Sequence, residues 1–366
     1  MHMKVHEITI NKIEGEGNRY ILVDGGGEPV IPVIKYLKYM DNIGRSVNTL
    51  RSYCYHLKLY FEYLVENELS YESISIEDVA KFIGWLRTSH KSEKITTIRP
   101  INSVRSERTI NTILTCVMSF YDFLDRLNMY ENGLKEASTK KISSRNRNYK
   151  PFLHHISKNR LIDKNILKIK ETKRQIKTLT QGQVQTINDN CTNVRDELLI
   201  RILYEGGLRI GEAIGLEIED FNIIKNTIRV KKSKTAAGEN RIVFVSEETM
   251  NLFQDYLIDY HANEVDSNHV FIKLQGPNKG YPLSRNTIES MIKRIRKKTG
   301  IDFTPHMLRH TFASELHAKG VEISVIQKLL GHAQVQTTIN TYVHINEDQL
   351  RESYTQAIKN RNTKKE

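Results

Sequence analysis

The sequence predicts a mainly α-helical protein with a small β-sheet, built as an all-helical domain followed by a mixed α+β domain. Three observations carry this. A chain of 366 residues is too long for one comfortable core and suits two domains. Apolar residues recur at three- and four-residue steps through long segments of the first half. Short strand-like stretches separated by a polar turn stand among further helical segments in the second half.

The elements follow in chain order. Within residues 1–27, VHEITINKI alternates, GEGN can turn and RYILV follows, which predicts an N-terminal β-hairpin arm. Gly25, Gly26 and Gly27, with Pro29 and Pro32, then interrupt regular structure and mark a boundary. A helix beginning at Ser46 places Leu50, Tyr53, Cys54, Leu57, Phe61 and Leu64 on one face. Residues 76–88 (Ile76, Val79, Phe82, Ile83, Leu86) and 107–127 (Ile110, Ile113, Leu114, Val117, Tyr121, Leu124) repeat the pattern, so residues 30–138 read as a helical domain.

Residues 139–177 hold 13 Lys or Arg against two acids, Asp163 and Glu171, a net +11 in a chain whose total is +12. Nearly all the excess charge therefore sits in an interdomain linker, where Arg145 and Arg147 are candidate contacts to a polyanion. The second domain, residues 178–347, begins with helices near 180–191 and 194–206 and a helix through Glu212. Strands at 227–232 and 240–245 flank the polar turn SKTAAGE, with a third candidate strand at 269–273. Residues 284–298 put Ile288, Met291, Ile292 and Ile295 on one face and Lys293, Arg294 and Lys297 largely elsewhere, giving a core side and a phosphate side. Residues 348–366 read as a short amphipathic tail helix with Leu350, Tyr354 and Ile358 on its apolar face.

Composition narrows the function. No stretch reaches 18 consecutive apolar residues and no apolar signal segment opens the chain, so a soluble, cytoplasmic protein with no membrane partner is expected. Cys54, Cys116 and Cys191 lie far apart without histidines at metal-ligand spacing, which argues against a disulfide framework and against a metal site. The pI near 9.3 suits a polyanionic partner. No GxxxxGK[ST] loop is present, so no nucleotide cofactor is expected.

Four segments carry chemistry: GLRIGEAIGL at 207–216, TPHMLRHTFAS at 304–314, LLGHAQVQTT at 329–338 and TYVH at 341–344. His306 and Arg309 are three apart, hence on one helix face, and Thr304 with Pro305 makes a good N-cap and first turn. The free backbone N–H groups expected there favour an anion. Arg309 offers a fork for two phosphate oxygens, and Arg209 arrives from another helix to clamp the same group. His306 and His332 can donate to the phosphate or carry a proton, and these roles stay open between them. Glu212, one helical turn after Arg209, can hold that guanidinium in place.

The order of these segments, the HMLRH core and the ten-residue step from His332 to Tyr342 resemble the catalytic signature of the tyrosine recombinases, the phage integrase family. The resemblance runs from about Thr178 to His344, and residues 30–138 are compatible with that family's SAM-like core-binding domain. It implies a two-domain C-shaped clamp on double-stranded DNA, crossed by the basic linker, that breaks and rejoins strands without metal or ATP. Tyr342 becomes the nucleophile that forms a 3′-phosphotyrosine, its phenol needing to lose a proton as it attacks. The family's general-acid lysine lies on the hairpin turn, where Lys234 in Ser233-Lys234-Thr235 fits best and Lys231 and Lys232 stay open. The resemblance also implies a tail docked on a neighbouring protomer, hence dimers or tetramers on paired sites, with room for accessory recombination proteins. The long linker and N-terminal hairpin look like a transposon-encoded member of the A-type transposases of Gram-positive elements, a nucleoid-associated bacterial protein. A type IB-like topoisomerase, a chromosome-dimer-resolution recombinase and a non-catalytic DNA-binding protein are the rival readings. If the linker charge meets phosphates, affinity for duplex DNA falls about a thousandfold between roughly 50 and 200 mM salt; a flat titration would contradict it.

Overall fold

The computed structural model describes residues 2–12, 15–88, 104–127, 139–143, 161–165, 167–172, 176–261, 267–334 and 338. The chain divides into two compact units, Met1–Lys173 and Arg174–Glu366. Among the described residues no helix is long and apolar enough to cross a membrane.

In the first unit, strands β1 (Lys4–Lys12) and β2 (Gly15–Val23) form an antiparallel hairpin whose register runs from Lys4 opposite Val23 to Lys12 opposite Gly15. GEGN is thus the start of β2 and not the expected turn, because each of its residues is paired across the ladder. The hairpin shares the helical core: Leu22 is fully buried among the helices, with Met3 beside it.

Helix α1 (Ile31–Asn42) was not signalled by the breakers before it. Pro32, read as an interruption, sits in the first turn, where a proline forfeits no helical hydrogen bond. The buried set Val33, Tyr36, Leu37 and Met40 has the helical spacing that would have revealed it. Helices α2 (Val47–Glu66), α3 (Ile76–Arg87) and α4 (Glu107–Arg126) follow the sequence reading, each opened by a serine cap, Ser46, Ser75 and Ser106. At their centre the Tyr60 and Tyr121 hydroxyls meet at 2.6 Å, and Tyr121 also donates to the Tyr71 carbonyl, so both buried phenols are satisfied.

The basic segment holds a short antiparallel ladder, β3 (Thr139–Ser143) with β4 (Leu161–Asn165), where the sequence suggested only a linker. Further on, Ile169 exchanges two hydrogen bonds of 2.9 Å with the buried side chain of Asn111. Leu167 and Ile169 pack on the helical core, so this stretch of the segment is anchored to the first unit.

The second unit opens with α5 (Gln181–Asp189), α6 (Val194–Glu205) and the short α7 (Ile210–Ile214). A three-stranded antiparallel sheet follows in the order β5 (Phe221–Asn222), β6 (Thr227–Val230), β7 (Arg241–Phe244). Then come α8 (Glu247–Tyr260), α9 (Arg285–Thr299), α10 (Pro305–Ala318) and α11 (Ile323–Leu330). The expected strand at 269–273 is not part of the sheet. Its extended backbone bonds elsewhere, Val270 N–H to the Leu216 carbonyl, Lys273 N–H to that of Tyr281, and the Phe271 carbonyl from Leu283 N–H, while β5 takes the edge beside β6.

The second core gathers Leu199, Ile202 and Leu203 of α6 with Ile228, Val230 and Val243 of the sheet, Phe253 of α8, Ile292 of α9 and Leu308 of α10. Helix α9 buries Ile288, Met291, Ile292 and Ile295 and exposes Lys293, Arg294 and Lys297, as its periodicity predicts.

The hairpin's membership of the first core is testable: Leu22→Ala lowers the urea-unfolding free energy by about 2–5 kcal/mol, whereas an independent arm would leave it unchanged.

Candidate active site

The site is organised by the end of a helix. Helix α11 stops at Gly331, which takes φ +63° and returns its N–H to the Lys328 carbonyl, while His332 N–H returns to that of Gln327. A helix C-terminus leaves carbonyls without intrahelical partners and carries partial negative charge. Here three guanidinium groups meet them: Arg241 Nε donates to the Leu329 carbonyl at 2.9 Å, Arg309 Nη2 to Leu330 at 2.6 Å and Arg209 Nη2 to Gly331 at 3.3 Å.

Glu212 joins the same arginines from the other side. Its carboxylate accepts from Arg241 Nη2 at 2.6 Å, Arg209 Nη1 at 2.8 Å, Ser233 Oγ at 2.6 Å and the backbone N–H of Arg209 at 2.9 Å. Arg309 Nη1 lies 3.9 Å away and donates to the Gly207 carbonyl at 2.7 Å. Burial alone would push the Glu212 carboxyl up, but hydrogen bonds and charge from Arg241, then Ser233 and the Arg209 amide, hold it down at about 2. Arg209 is the N-cap residue of α7, so the carboxylate that caps the helix also fixes its side chain.

Arg241 has no counterpart among the sequence-predicted site residues. It read as one charge in a strand; its signal was an arginine at an inward position of β7, where alternation demands a buried side chain.

Helix α10 opens as the sequence predicts, with Thr304 as N-cap and Pro305 in the first turn, but the cap leaves few amides for an anion. Thr304 Oγ accepts from the Met307 N–H and Pro305 has none to offer, so the helix cap uses amides that an open N-terminus would present to an anion. Arg309 is only 3% exposed and reaches the carbonyls of Gly207 and Leu330. What remains for an anion is a side-chain cluster. His306 is exposed on the helix, yet packing around its ring and the charges of Arg309, Arg209, Arg285 and Lys234 lower its pKa. His332, half-buried, is lowered to about 4 by burial and then by Arg309 and Arg209, and its Nδ1 lies 3.0 Å from Thr338 Oγ1. His310 stacks on His306 with ring centres 6.1 Å apart and is likewise lowered to about 4, by burial and then by the His306 and Arg309 charges.

The hairpin lysines separate. Lys231 is held by Glu217, Glu219 and Asp220, with Nζ 2.7 Å from Glu217. Lys234 is exposed and near enough to His306 to depress it. The turn around it is tied down rather than loose: Thr235 Oγ1 donates to the Gly331 carbonyl at 2.9 Å, and a Cβ on Gly331 would fall 2.5 Å from the Gly238 Cα.

The structure thus brings Arg209, Glu212, Lys234, His306, Arg309 and His332 to one place. Lys293, Arg294 and Lys297 lie on the exposed face of α9, with Arg294 Nη2 3.7 Å from the buried Asp196 carboxylate. Tyr342, Arg145, Arg147 and the tail at 348–366 lie outside the described residues. Among the described residues no cluster of His, Cys, Asp and Glu could hold a metal ion.

Residues 177–349 match the phage integrase family and residues 33–128 match its N-terminal SAM-like domain. The chain is 39% identical, over 98% of its length and all of the relative's, to transposase A from transposon Tn554 of Staphylococcus aureus. It is 29% identical to tyrosine recombinase XerA of Pyrococcus horikoshii, over 88% of this chain and 92% of that one. Among solved structures, the Tn1549 transposon integrase in complex with transposon right end DNA shares the fold, with TM-score 0.62 at 18% identity over 89% of this chain and 99% of that chain. The XerH recombinase bound to its difH substrate gives 0.59 at 19% identity over 88% and 83%. The chain belongs to the phage integrase family, the tyrosine recombinases, and is a DNA breaking-and-rejoining enzyme of site-specific recombination.

Two outcomes test the electrostatic design. Arg241→Ala leaves the buried Glu212 carboxylate short of its nearest cation and lowers stability by about 3–5 kcal/mol in urea titrations. The pKa values of Glu212, His310 and His332 are all depressed in the folded state, so their contributions are complete above the unfolded values and vanish as pH falls. Stability is lost from about 6.5 to about 4 for the histidines and from about 4.5 to about 2 for Glu212. Replacing Glu212 by Gln flattens the lower limb of the stability profile only.

Proposed function

We propose that this enzyme moves a mobile DNA element by cutting and rejoining strands through a 3′-phosphotyrosine, with Tyr342 as nucleophile. The observation that carries the reading is the convergence of Arg209, Arg309, His306, His332 and Lys234 around one position. Fixed cations there stabilise the charge of a pentacoordinate phosphorane, and such preorganised stabilisation is usually the largest catalytic term. Tyr342 Oη attacks the scissile phosphorus as His306 or His332 takes up its proton, the bond to the 5′ oxygen breaks, and Lys234 Nζ supplies that oxygen's proton. Attack by a 5′ hydroxyl on the phosphotyrosine reverses the sequence and restores the tyrosine.

The histidines suit proton transfer and hydrogen bonding to phosphate. Burial, and after it the charges of Arg309 and Arg209, keep them neutral without substrate, and an arriving phosphodiester offsets the positive part of that field and raises their basicity. Glu212 acts through Arg209. No step calls for a metal ion or a nucleotide.

Duplex DNA is the partner, contacted by Lys293, Arg294 and Lys297 of α9 and by Arg145 and Arg147. Residues 348–366 bridge to a second protomer, giving dimers or tetramers on paired sites, with accessory recombination proteins as further partners. The transposase reading rests on likeness over the whole chain to a transposon-encoded relative, which favours strand exchange over topoisomerase relaxation. The protein then acts in the bacterial cytoplasm at the nucleoid.

A suicide duplex nicked beside the crossover site, incubated with excess EDTA, traps a covalent adduct with the unaltered protein and with Tyr354→Phe. Tyr342→Phe yields none; an adduct with that variant overturns the assignment.

A further inference from the structure

Lys234 sits between two residues that turn the opposite way. Ser233 and Thr235 face inward, and Lys234 is exposed between them. Ser233 Oγ donates to Glu212 Oε1 at 2.6 Å and accepts from Arg209 Nη1 at 3.3 Å. Thr235 Oγ1 donates to the Gly331 carbonyl at 2.9 Å, the same oxygen that accepts from Arg209 Nη2. The two groups that hold Arg209, a carboxylate and a helix-end carbonyl, therefore also hold the two residues flanking Lys234.

The packing allows little else. A Cβ on Gly238 would lie 2.4 Å from Ser233 Oγ, so only glycine lets the Ser233 hydroxyl lie beneath the turn. The Gly238 N–H closes the turn on the Thr235 carbonyl at 2.8 Å, and Gly238 is where Gly331 makes its close approach. Turn, helix end and Glu212 carboxylate are locked at three points.

We propose that Ser233 and Thr235 are positioning residues that fix Lys234 over the leaving oxygen by anchoring its backbone to Glu212 and Gly331. One hydrogen-bond network then sets both the arginine that binds the phosphate and the lysine that protonates the departing strand, so the two are placed together. This rests on Lys234 being the general acid, and the experiment below separates the two claims.

The probe is a pair of suicide duplexes, one with an ordinary phosphodiester at the scissile position and one with a 5′-bridging sulfur. A thiolate leaves without a proton, its conjugate acid having a pKa near 8.5 as in a cysteine thiol. Single-turnover cleavage is measured for the unaltered protein, Lys234→Ala, Thr235→Val, Ser233→Ala and Thr235→Ser. Thr235→Val keeps the shape and loses one hydrogen bond, and its rate on the oxygen substrate falls about three- to tenfold. Ser233→Ala falls by a similar factor, and Thr235→Ser retains the rate. On the sulfur substrate the rates of Lys234→Ala, Thr235→Val and Ser233→Ala return to within about twofold of the unaltered protein. If Lys234→Ala recovers with sulfur while Thr235→Val and Ser233→Ala do not, their defect lies in the phosphate clamp and the positioning role is overturned. Unchanged rates in both variants on the oxygen substrate overturn it as well. If Lys234→Ala itself fails to recover, Lys234 is not the acid and the claim falls with its premise.

Discussion

A buried carboxylate with several cations around it is the constraint on which the catalytic unit turns. Glu212 would be unstable in its place if it stood alone, since an unpaired buried charge is among the most costly things a fold can hold. Arg241, Arg209 and Ser233 make it tolerable, and in doing so they become fixed themselves. One further donor from each of Arg241, Arg309 and Arg209 goes to a carbonyl at the end of α11, a helix terminus that needs them. Each partner answers a requirement of another. The arrangement resists stepwise change because removing any member leaves a buried polar group without its match.

The same logic explains why the local elements are where they are. Helix α7 is only five residues long, too short to be stable by itself, yet its N-cap, Arg209, is the residue whose side chain must be aimed. The sheet is small, and its inward residues Ile228, Val230 and Val243 seat it on the core, which puts Arg241 of β7 within reach of Glu212 and α11. Gly207, at φ +58°, carries the chain past Phe312 so closely that a Cβ would meet that ring at 2.5 Å, which lets the Gly207 carbonyl reach Arg309.

Much of this was legible in the sequence, and the gaps have physical causes. Helices α2, α3, α4 and α9 declare themselves because one face is buried and the period is long enough to read. Helix α1 was hidden by Pro32, since a proline signals both the end of one element and the first turn of another. The segment at 269–273 looks like a strand because it is apolar and buried, but its backbone partners come from 216 and 280–283, and no local pattern records them. At the site, Arg209, His306, Arg309 and His332 stood out through their segments. Arg241 did not, because its importance comes from where a strand delivers it, 29 residues from Glu212. The turn that carries Lys234 read only as polar; the fold reveals that Thr235 and Gly238 meet Gly331 across 96 and 93 positions of sequence.

The close approach of Gly238 to Gly331 also bears on how such a chain can diverge. The stretch from Ser233 to Arg241 is pinned at Glu212, Gly331, Leu329 and its own Gly238 carbonyl, so its length is measured against a fixed template. An added or missing residue there would shift every later pin out of register at once. The turn between β5 and β6 is held mainly by its own bonds, Lys225 N–H to Asn222 Oδ1 and Asn226 N–H to the Ile223 carbonyl, and Ile224 at its tip is 95% exposed. Insertions accumulate readily in a loop of that kind. Lineages of this enzyme would be expected to vary in length on one side of β6 and to keep strict count on the other.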